Sequence, residues 1–205
     1  MNLPRVVVYD CEIKKAIPDK KRPRDPALAY CEGWGDHVGM GISVIAAVDV
    51  ESMMPRVFFG DNLAAFAEFT RDAILAGHSN HDFDDKLLRA NGLYTAAGSW
   101  DILRKLRKAV GEPEGFVGGV TKAGRKVNDC ARVNLNGLQK SDDGANAPEL
   151  YQRNKIGELV DYCLRDVSIE VQLFLRRGAF VDPITGRIVC LEEPTLAPAA
   201  AALLP

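Results

Sequence analysis

Apolar runs separated by polar segments predict an alternating α/β order along the first part of the chain. Residues 5–13 (RVVVYDCEI) are apolar and β-branched up to two acids, which is typical of a central strand covered on both faces. Residues 39–50 and 55–60 are predicted to form two further strands. Residues 74–78 are predicted to form a fourth, which pairs in parallel because a helix precedes it. The pattern predicts an antiparallel meander beside parallel strands.

Helical periodicity is strongest near the carboxyl end of the chain. One apolar stripe runs from about Ile156 to Arg177, with Gly178 as the expected stop. Residues 180–191 are predicted to form a hairpin. Three shorter helices are also predicted: one capped by Asp61 or Asn62 and reaching Ala73, one ending near Gly92, and one capped by Ser99 and stopped by Gly111.

The length of 205 residues fits one domain, which we assign to residues 1–191. Within it, residues 112–148 are rich in Gly, Asn, Asp and Lys and predict little regular structure. Residues 192–205 are rich in Ala and Pro, so we expect a loose tail without chemistry.

Composition narrows the class of protein. The formal net charge of -2 leaves no domain-wide basic field, so any contact with a polyanion has to be local. Five scattered cysteines without a CxxC pair favour neither a disulfide framework nor a zinc site. The N-terminus leaves no room for a signal peptide, and no apolar run approaches the ~20 residues that span a bilayer. A cytoplasmic protein without membrane contact is expected.

The first strand ends in two acids, Asp10 and Glu12. They are two residues apart, so on a strand their side chains point to the same face. Like charges this close resist folding unless a cation lies between them, which makes the pair a candidate metal site. The simpler alternative for a lone DxE pair is an exposed strand end.

A second acidic segment, residues 80–85 (NHDFDD), follows the fourth strand and opens a helix. Its three acids are Asp82, Asp84 and Asp85, and any of them could simply favour a helix N-terminus. We choose Asp84 for the site because it lies beside Phe83, which is expected to anchor the segment in the core.

A third candidate segment lies inside the long helix. Tyr162 and Asp166 are four residues apart and therefore lie on one helical face. At 100° per residue they fall at the edge of the apolar stripe, where the core meets solvent. The simpler alternative is a surface Tyr and Asp on an amphipathic helix.

With DxE on a first strand, NxxFD after a later strand and YxxxD on a late helix, the chain resembles the DEDD superfamily of 3′-to-5′ exonucleases, in the subclass whose third motif carries tyrosine (DEDDy). Asp10 and Glu12 match the first motif, Asp84 the second, and Tyr162 with Asp166 the third. The chain is also similar to compact exonuclease-like proteins of phages and mobile elements.

One departure from the family concerns the second motif. The family usually has His-Asn directly, whereas Ser79 separates His78 from Asn80 in this chain. The alignment of this motif therefore leaves Asp82 and Asp85 open as alternatives to Asp84.

The resemblance implies an RNase H-like fold and hydrolysis of terminal phosphodiester bonds of DNA or RNA, with release of 5′-mononucleotides. It implies two divalent cations, Mg²⁺ or Mn²⁺, held by the four acids of the motifs: Asp10, Glu12, Asp84 and Asp166. A tyrosine hydroxyl ordinarily ionises near pH ~10, so Tyr162 is assigned to orienting the attacking water. The expected partner is a single-stranded 3′ end, and no protein partner is indicated.

Two other functions stay open at this stage. One is an RNase H-like module that grips nucleic acid or a protein without cutting, and the other is a metal-dependent phosphatase on small nucleotides. Trp34 or Phe116 could stack on a base. Two clusters of basic residues could form a positive rim around the site. For most of these residues, an ordinary solvated charge on a loop or helix face is the simpler alternative. The clusters are Lys14, Lys15, Lys20, Lys21, Arg22 and Arg24 in the first long loop, and Arg104, Lys105, Arg107 and Lys108 in a predicted helix.

Overall fold

The structure, a computed structural model, describes residues 4–19, 23–138 and 146–196. Its central element, within these ranges, is a five-stranded sheet. The strands are β1 (Val6–Ile13), β2 (Ile42–Asp49), β3 (Pro55–Phe59), β4 (Ile74–Gly77) and β5 (Gly98–Asp101). A separate small hairpin, β6 (Phe180–Val181) and β7 (Ile188–Val189), agrees with the hairpin predicted over residues 180–191.

The sheet has the order β3-β2-β1-β4-β5, with β1 at its centre. β1 pairs antiparallel with β2 and parallel with β4. β2 pairs antiparallel with β3, and β4 pairs parallel with β5. The predicted mixed sheet of an RNase H-like fold, with a meander on one side and parallel strands on the other, is confirmed.

Helices flank both faces of the sheet. In chain order they are α1 (His37–Met40), α2 (Leu63–Phe69), α3 (Asp84–Ala90), α4 (Ile102–Ala109), α5 (Val127–Asn134), α6 (Ala147–Gln152) and α7 (Ile156–Leu175). In the described part of the chain, none of these helices has both the length and the apolar character that crossing a bilayer requires.

The two faces of β1 belong to two different core layers. Val6 and Val8 pack with α7, α5 and β2 residues in one cluster. Val7 and Tyr9 pack with α2 and α3 residues in the other. Because side chains alternate along a strand, every even-numbered residue from Val6 onward faces the α7 layer, until the pairing with β2 shifts between Glu12 and Ile13.

One predicted helix start was wrong. Ser99 does not cap a helix, because it lies in β5, opposite Leu75 of β4. Asp101 is the N-cap instead, and its side chain accepts a hydrogen bond from the Arg104 N–H. Because Ser99 pairs in the sheet, the N-cap lies two residues later than the sequence predicted.

Other boundaries differ by a few residues. The predicted helix to Ala73 stops at Phe69, where the Thr70 hydroxyl donates to the Phe66 carbonyl and Asp72 adopts a positive φ. The strand predicted from residue 39 begins at Ile42, because α1 occupies the residues before it. α5 lies inside residues 112–148, for which the sequence predicts little regular structure, and α6 begins at the end of that segment.

The single-domain assignment of residues 1–191 stays a prediction. Residues 197–205 of the predicted tail lie outside the described residues, as do Lys20, Lys21 and Arg22 of the predicted basic rim.

A buried ionic network joins the C-terminal hairpin to the middle of the chain. The Arg125 guanidinium donates to Asp182 at 2.7 Å and 3.3 Å and to Glu112 at 2.9 Å. Arg125 and Asp182 are both buried. The Arg125 carbonyl lies 2.9 Å from Nε2 of His78, at the end of β4. The network therefore supports the segment that carries the second motif.

We expect Asp182→Ala to lower the free energy of unfolding by about 3–5 kcal/mol, because it leaves the Arg125 charge buried without its main partner. Urea denaturation measures this. Glu68→Ala is the matched control: it removes an acid from an exposed ion pair with Arg71 and should cost no more than about 0.5 kcal/mol. An equal loss of unfolding free energy in the two variants would contradict a stabilising role for the buried Arg125–Asp182 pair.

The same pair predicts a pH dependence. Burial opposes ionisation of Asp182, but hydrogen bonds from Arg125 and Thr185 outweigh it and lower the pKa of this carboxyl below its ordinary value. A lowered pKa stabilises the fold above the ordinary value of ~3.9, and this contribution is lost as the pH falls below it. The difference in unfolding free energy between wild type and Asp182→Ala should therefore narrow on acidification below about pH 4.

Candidate active site

The two acids of β1 lie on its α7-facing side. Asp10 and Glu12 continue the alternation of Val6 and Val8, so they point into the same layer as the long helix. Glu12 is buried and Asp10 is half-buried. The alternative of an exposed strand end therefore does not apply to this pair.

Cys163 of α7 lies directly against the two acids. Its sulfur and one carboxylate oxygen from each of Asp10 and Glu12 all lie within 4.8 Å of one another. The Cys163 thiol also donates to the backbone carbonyl of Asp10 at 3.5 Å. Burial, followed by the charges of Asp10 and Glu12, holds the pKa of this thiol well above its ordinary value. The thiol therefore stays protonated and ties α7 to β1.

The two third-motif residues are more buried than predicted. Tyr162 is 7% exposed and Asp166 is 2% exposed, although the helical periodicity placed both at the border with solvent. β1, β2 and α6 all contact α7, and Tyr162 belongs to the same core cluster as Val8 of β1 and Ala147 of α6. The charge of Asp166 contributes to raising the pKa of Cys163, so it acts close to the β1 pair.

Asp84 approaches the same end of β1 from the other layer. It is the first residue of α3 and is buried. Burial and then the charges of Asp84 and Asp10 raise the pKa of the Cys11 thiol well above its ordinary value. In the described residues, neither Asp84 nor Asp166 belongs to the closest group of potential metal ligands, which consists of Asp10, Glu12 and Cys163.

The neighbouring acids have other partners. Asp82 is exposed and pairs with the Arg104 guanidinium at 2.7 Å. Asp85 is buried, and its Oδ1 accepts a 2.7 Å hydrogen bond from the Tyr9 hydroxyl. Burial and the charges of Asp84 and Asp85 hold the pKa of Tyr9 well above its ordinary range, so the phenol remains a donor. Asp82 therefore forms an exposed ion pair, and Asp85 accepts a hydrogen bond inside the core.

The backbone between β4 and α3 makes an unusual turn at the extra residue of the second motif. Ser79 has a φ of 65°, a left-handed conformation that costs a non-glycine residue free energy. Its carbonyl accepts from the Asp82 N–H, and the Asn80 carbonyl accepts from the Asp85 N–H. The chain thus accommodates Ser79 within the turn before Asp84.

Asp101 holds this turn in place. Its fully buried carboxylate accepts hydrogen bonds from the backbone N–H groups of Ser79, His81 and Arg104 at 3.0–3.2 Å. One side chain therefore fixes both the second-motif turn and the start of α4. Sequence reasoning missed this role because it assigned the cap to Ser99.

Glu170 connects the third motif to the second. It lies one helical turn beyond Asp166, is 3% exposed, and accepts a 3.1 Å hydrogen bond from the His78 N–H. A Cβ atom at Gly77 would lie 3.3 Å from this carboxylate, so the end of β4 packs closely against α7. The spacing of Glu170 along the helix was visible in the sequence, but its partner on β4 was not.

A cleft opens beside Tyr162 between α6 and α7. Its volume is about 460 Å³, within the range of ligand pockets. The acids of β1 do not line it. The lining residues are Asn146, Glu149, Leu150, Glu158, Asp161, Tyr162 and Arg165.

The donor atoms at the end of β1 fit a hard divalent cation. Mg²⁺ and Mn²⁺ prefer carboxylate oxygens, which Asp10 and Glu12 supply. A protonated Cys163 thiol is a poor ligand for such ions. A group of Asp10, Glu12 and Cys163 could hold a metal ion, and the chemistry of the group favours its oxygen atoms.

We expect Asp101→Asn to destabilise the fold by about 1–3 kcal/mol, because the new amide group would point its own N–H at a backbone donor. Hydrogen exchange at the Ser79 and His81 amides should accelerate more than at other sites. Asp129→Asn, which alters a half-buried acid whose hydrogen bond from the Lys126 N–H is exposed to solvent, should cost less than about 1 kcal/mol. Unchanged exchange at Ser79 and His81 would refute the role of Asp101.

No family model matches the chain, and no curated protein matches it in sequence. Among solved structures, it is similar to a family B DNA polymerase from the hyperthermophilic archaeon Pyrobaculum calidifontis, with a TM-score of 0.54 and 13% sequence identity. The match covers 85% of this chain and 24% of the polymerase chain. At this identity the similarity concerns the fold, and it agrees with the RNase H-like architecture described above.

Proposed function

We propose that the chain is a metal-dependent 3′-to-5′ exonuclease that hydrolyses the terminal phosphodiester bonds of DNA or RNA. The main support is that the Asp10 and Glu12 carboxylates lie together on the α7-facing side of β1, in contact with the helix that carries Tyr162 and Asp166. Two carboxylates held this close repel each other, and a cation between them stabilises the pair. The similarity of the fold to part of a DNA polymerase supports a substrate made of nucleic acid.

Asp10, Glu12, Asp84 and Asp166 would hold two divalent cations, Mg²⁺ or Mn²⁺. The β1 acids approach from the centre of the sheet, Asp84 from the start of α3, and Asp166 from α7. When bound, the cations supply positive charge that acidifies a water molecule and offsets the charge of the phosphate. The low exposure of Glu12 and Asp166 strengthens these electrostatic interactions.

The Tyr162 hydroxyl would orient the attacking water. It lies on the same face of α7 as Asp166 and borders the cleft between α6 and α7, which offers space for a terminal nucleotide. The water oxygen forms a bond to phosphorus, the bond from phosphorus to the 3′-oxygen breaks, and a proton passes to that 3′-oxygen. The product is a 5′-mononucleotide.

The chain should shorten 5′-labelled single-stranded DNA or RNA from its 3′ end in Mg²⁺ or Mn²⁺, and chelation should stop it. Asp10→Ala should abolish turnover, because it removes a ligand, whereas Tyr162→Phe should reduce turnover by up to roughly 10²-fold, because only the orientation of the water is lost. A gel time course measures both, with Glu68→Ala as the matched acid control.

Equal turnover of wild type and Asp10→Ala would overturn the proposal. A folded protein that is stabilised by Mn²⁺ but cuts neither nucleic acid would favour a binding module without catalysis. Release of inorganic phosphate from nucleotides would favour a phosphatase.

The choice of Asp84 predicts different outcomes for three neighbouring acids. Asp84→Asn should remove both turnover and thermal stabilisation by Mn²⁺. Asp82→Asn should keep both, because this acid is exposed and pairs with Arg104. Asp85→Asn should chiefly alter stability through Tyr9. Loss of turnover in Asp82→Asn with turnover kept in Asp84→Asn would reverse the assignment of the second motif.

A further inference from the structure

The connection between β1 and β2 exposes a tryptophan. Trp34 is 71% exposed, and Val38, four residues later, is 70% exposed. Tryptophan is usually well buried, because its large ring contributes strongly to the core. An exposed indole with an aliphatic neighbour is typical of a surface that binds a partner.

The backbone around Trp34 is firmly held. The Asp36 carboxylate accepts hydrogen bonds from the N–H groups of Glu32 and Gly39 at 2.9 Å and 2.8 Å. Any side chain on Gly39 would collide with that carboxylate. The Asn91 side chain, at the end of α3, donates to the His37 carbonyl at 3.2 Å. The exposure of Trp34 is therefore a property of an ordered turn that is attached to α3.

Trp34 is continuous with the candidate active site. Its ring contacts the ring of Phe83 edge-on, with centroids 6.1 Å apart, and the His37 ring lies 6.1 Å from Phe83 on centroids. Phe83 immediately precedes Asp84. These three rings, Trp34, His37 and Phe83, form what we call the aromatic platform, and it ends beside an acid of the site.

Positive charge lies in the same connection. Lys14 and Lys15 follow Glu12 after one intervening residue. Hydrogen bonds from the backbone of Glu32 and Gly39 lower the pKa of the Asp36 carboxyl, and the charge of Lys15 lowers it further. The Lys14 ammonium lies 5.7 Å from the centroid of the Tyr151 ring. The other predicted basic cluster is engaged elsewhere: Arg104 pairs with Asp82, and Lys105 and Lys108 both pair with Glu192.

We infer that the aromatic platform stacks the bases of single-stranded nucleic acid whose 3′ end reaches the carboxylates, with Trp34 as the outer stacking surface. The inference rests on the proposed exonuclease function and names the surface that holds the strand. Stacking accepts every base, because each has a π face, and unpaired bases are available only in a single strand. Lys15 is exposed and acts on Asp36 of the same turn, so it supplies positive charge for the phosphate backbone.

The chain offers a direct spectroscopic test, because it contains two tryptophans and Trp100 is buried. In the Trp100→Phe variant, a short oligothymidylate in Ca²⁺ should quench the emission of Trp34, and a blunt duplex should not. Binding of the single strand, measured by fluorescence anisotropy on intact oligonucleotide, should weaken roughly 5- to 150-fold in Trp34→Ala. Trp34→Phe should restore most of it, because a smaller ring still stacks.

Phe116→Ala is the matched control, since this aromatic residue is 75% exposed on a different loop. It should bind the oligonucleotide as wild type does. Trp34→Ala should lose more activity on the oligonucleotide than on thymidine 5′-p-nitrophenyl phosphate, which has no strand to stack. Asp36→Ala, which frees the turn but keeps the indole, should also weaken binding of the single strand.

The outcomes separate the two proposals. Unchanged binding in Trp34→Ala, or an equal loss in Phe116→Ala, overturns the platform and leaves the exonuclease standing if wild type degrades the strand. Quenching of Trp34 without hydrolysis of either substrate retains the platform and overturns the exonuclease.

Discussion

The central constraint on this structure is that β1 carries two carboxylates into the layer beneath α7. The Asp10 and Glu12 carboxylates repel each other at this distance, and the charges of Asp84 on α3 and Asp166 on α7 help to raise the pKa of Cys11 and Cys163 beside them. The arrangement is consistent with a site that is completed by cations, and the surrounding elements are fastened in ways that keep the acids together.

The contacts that hold these elements together are hydrogen bonds between segments that are distant in sequence. The Cys163 thiol ties α7 to the backbone of β1, and Glu170 ties the same helix to the end of β4. Asp101 holds the turn after β4, where Ser79 stores backbone strain. Each contact uses a buried polar group with a partner, so these contacts fix the positions of β1, β4 and α7 relative to one another.

Much of the fold was readable from the sequence, because β1, β4 and α7 have strong, uninterrupted patterns. Candidate site residues could also be proposed, because motif spacing indicates which side chains share a face, and their roles stay predictions. Contacts between elements that are distant in sequence could not be predicted. The cap at Ser99 failed because β5 pairs with β4, and the burial of Tyr162 depends on elements far along the chain. Similarly, nothing local distinguishes Asp84 from Asp82, whose partner Arg104 is 22 residues away.

The register shift between Glu12 and Ile13 has a consequence for how such a chain can vary. Because strand side chains alternate with a period of two, one residue inserted before Asp10 would turn both acids toward the α2 and α3 layer. The bulge ends this strict alternation just after the acids. A change in length beyond Ile13 therefore leaves the direction of both acids unchanged, whereas the same change within the strand reverses it. The same short irregularity separates a strand whose number of residues is constrained by the acids from a connection whose number of residues is not.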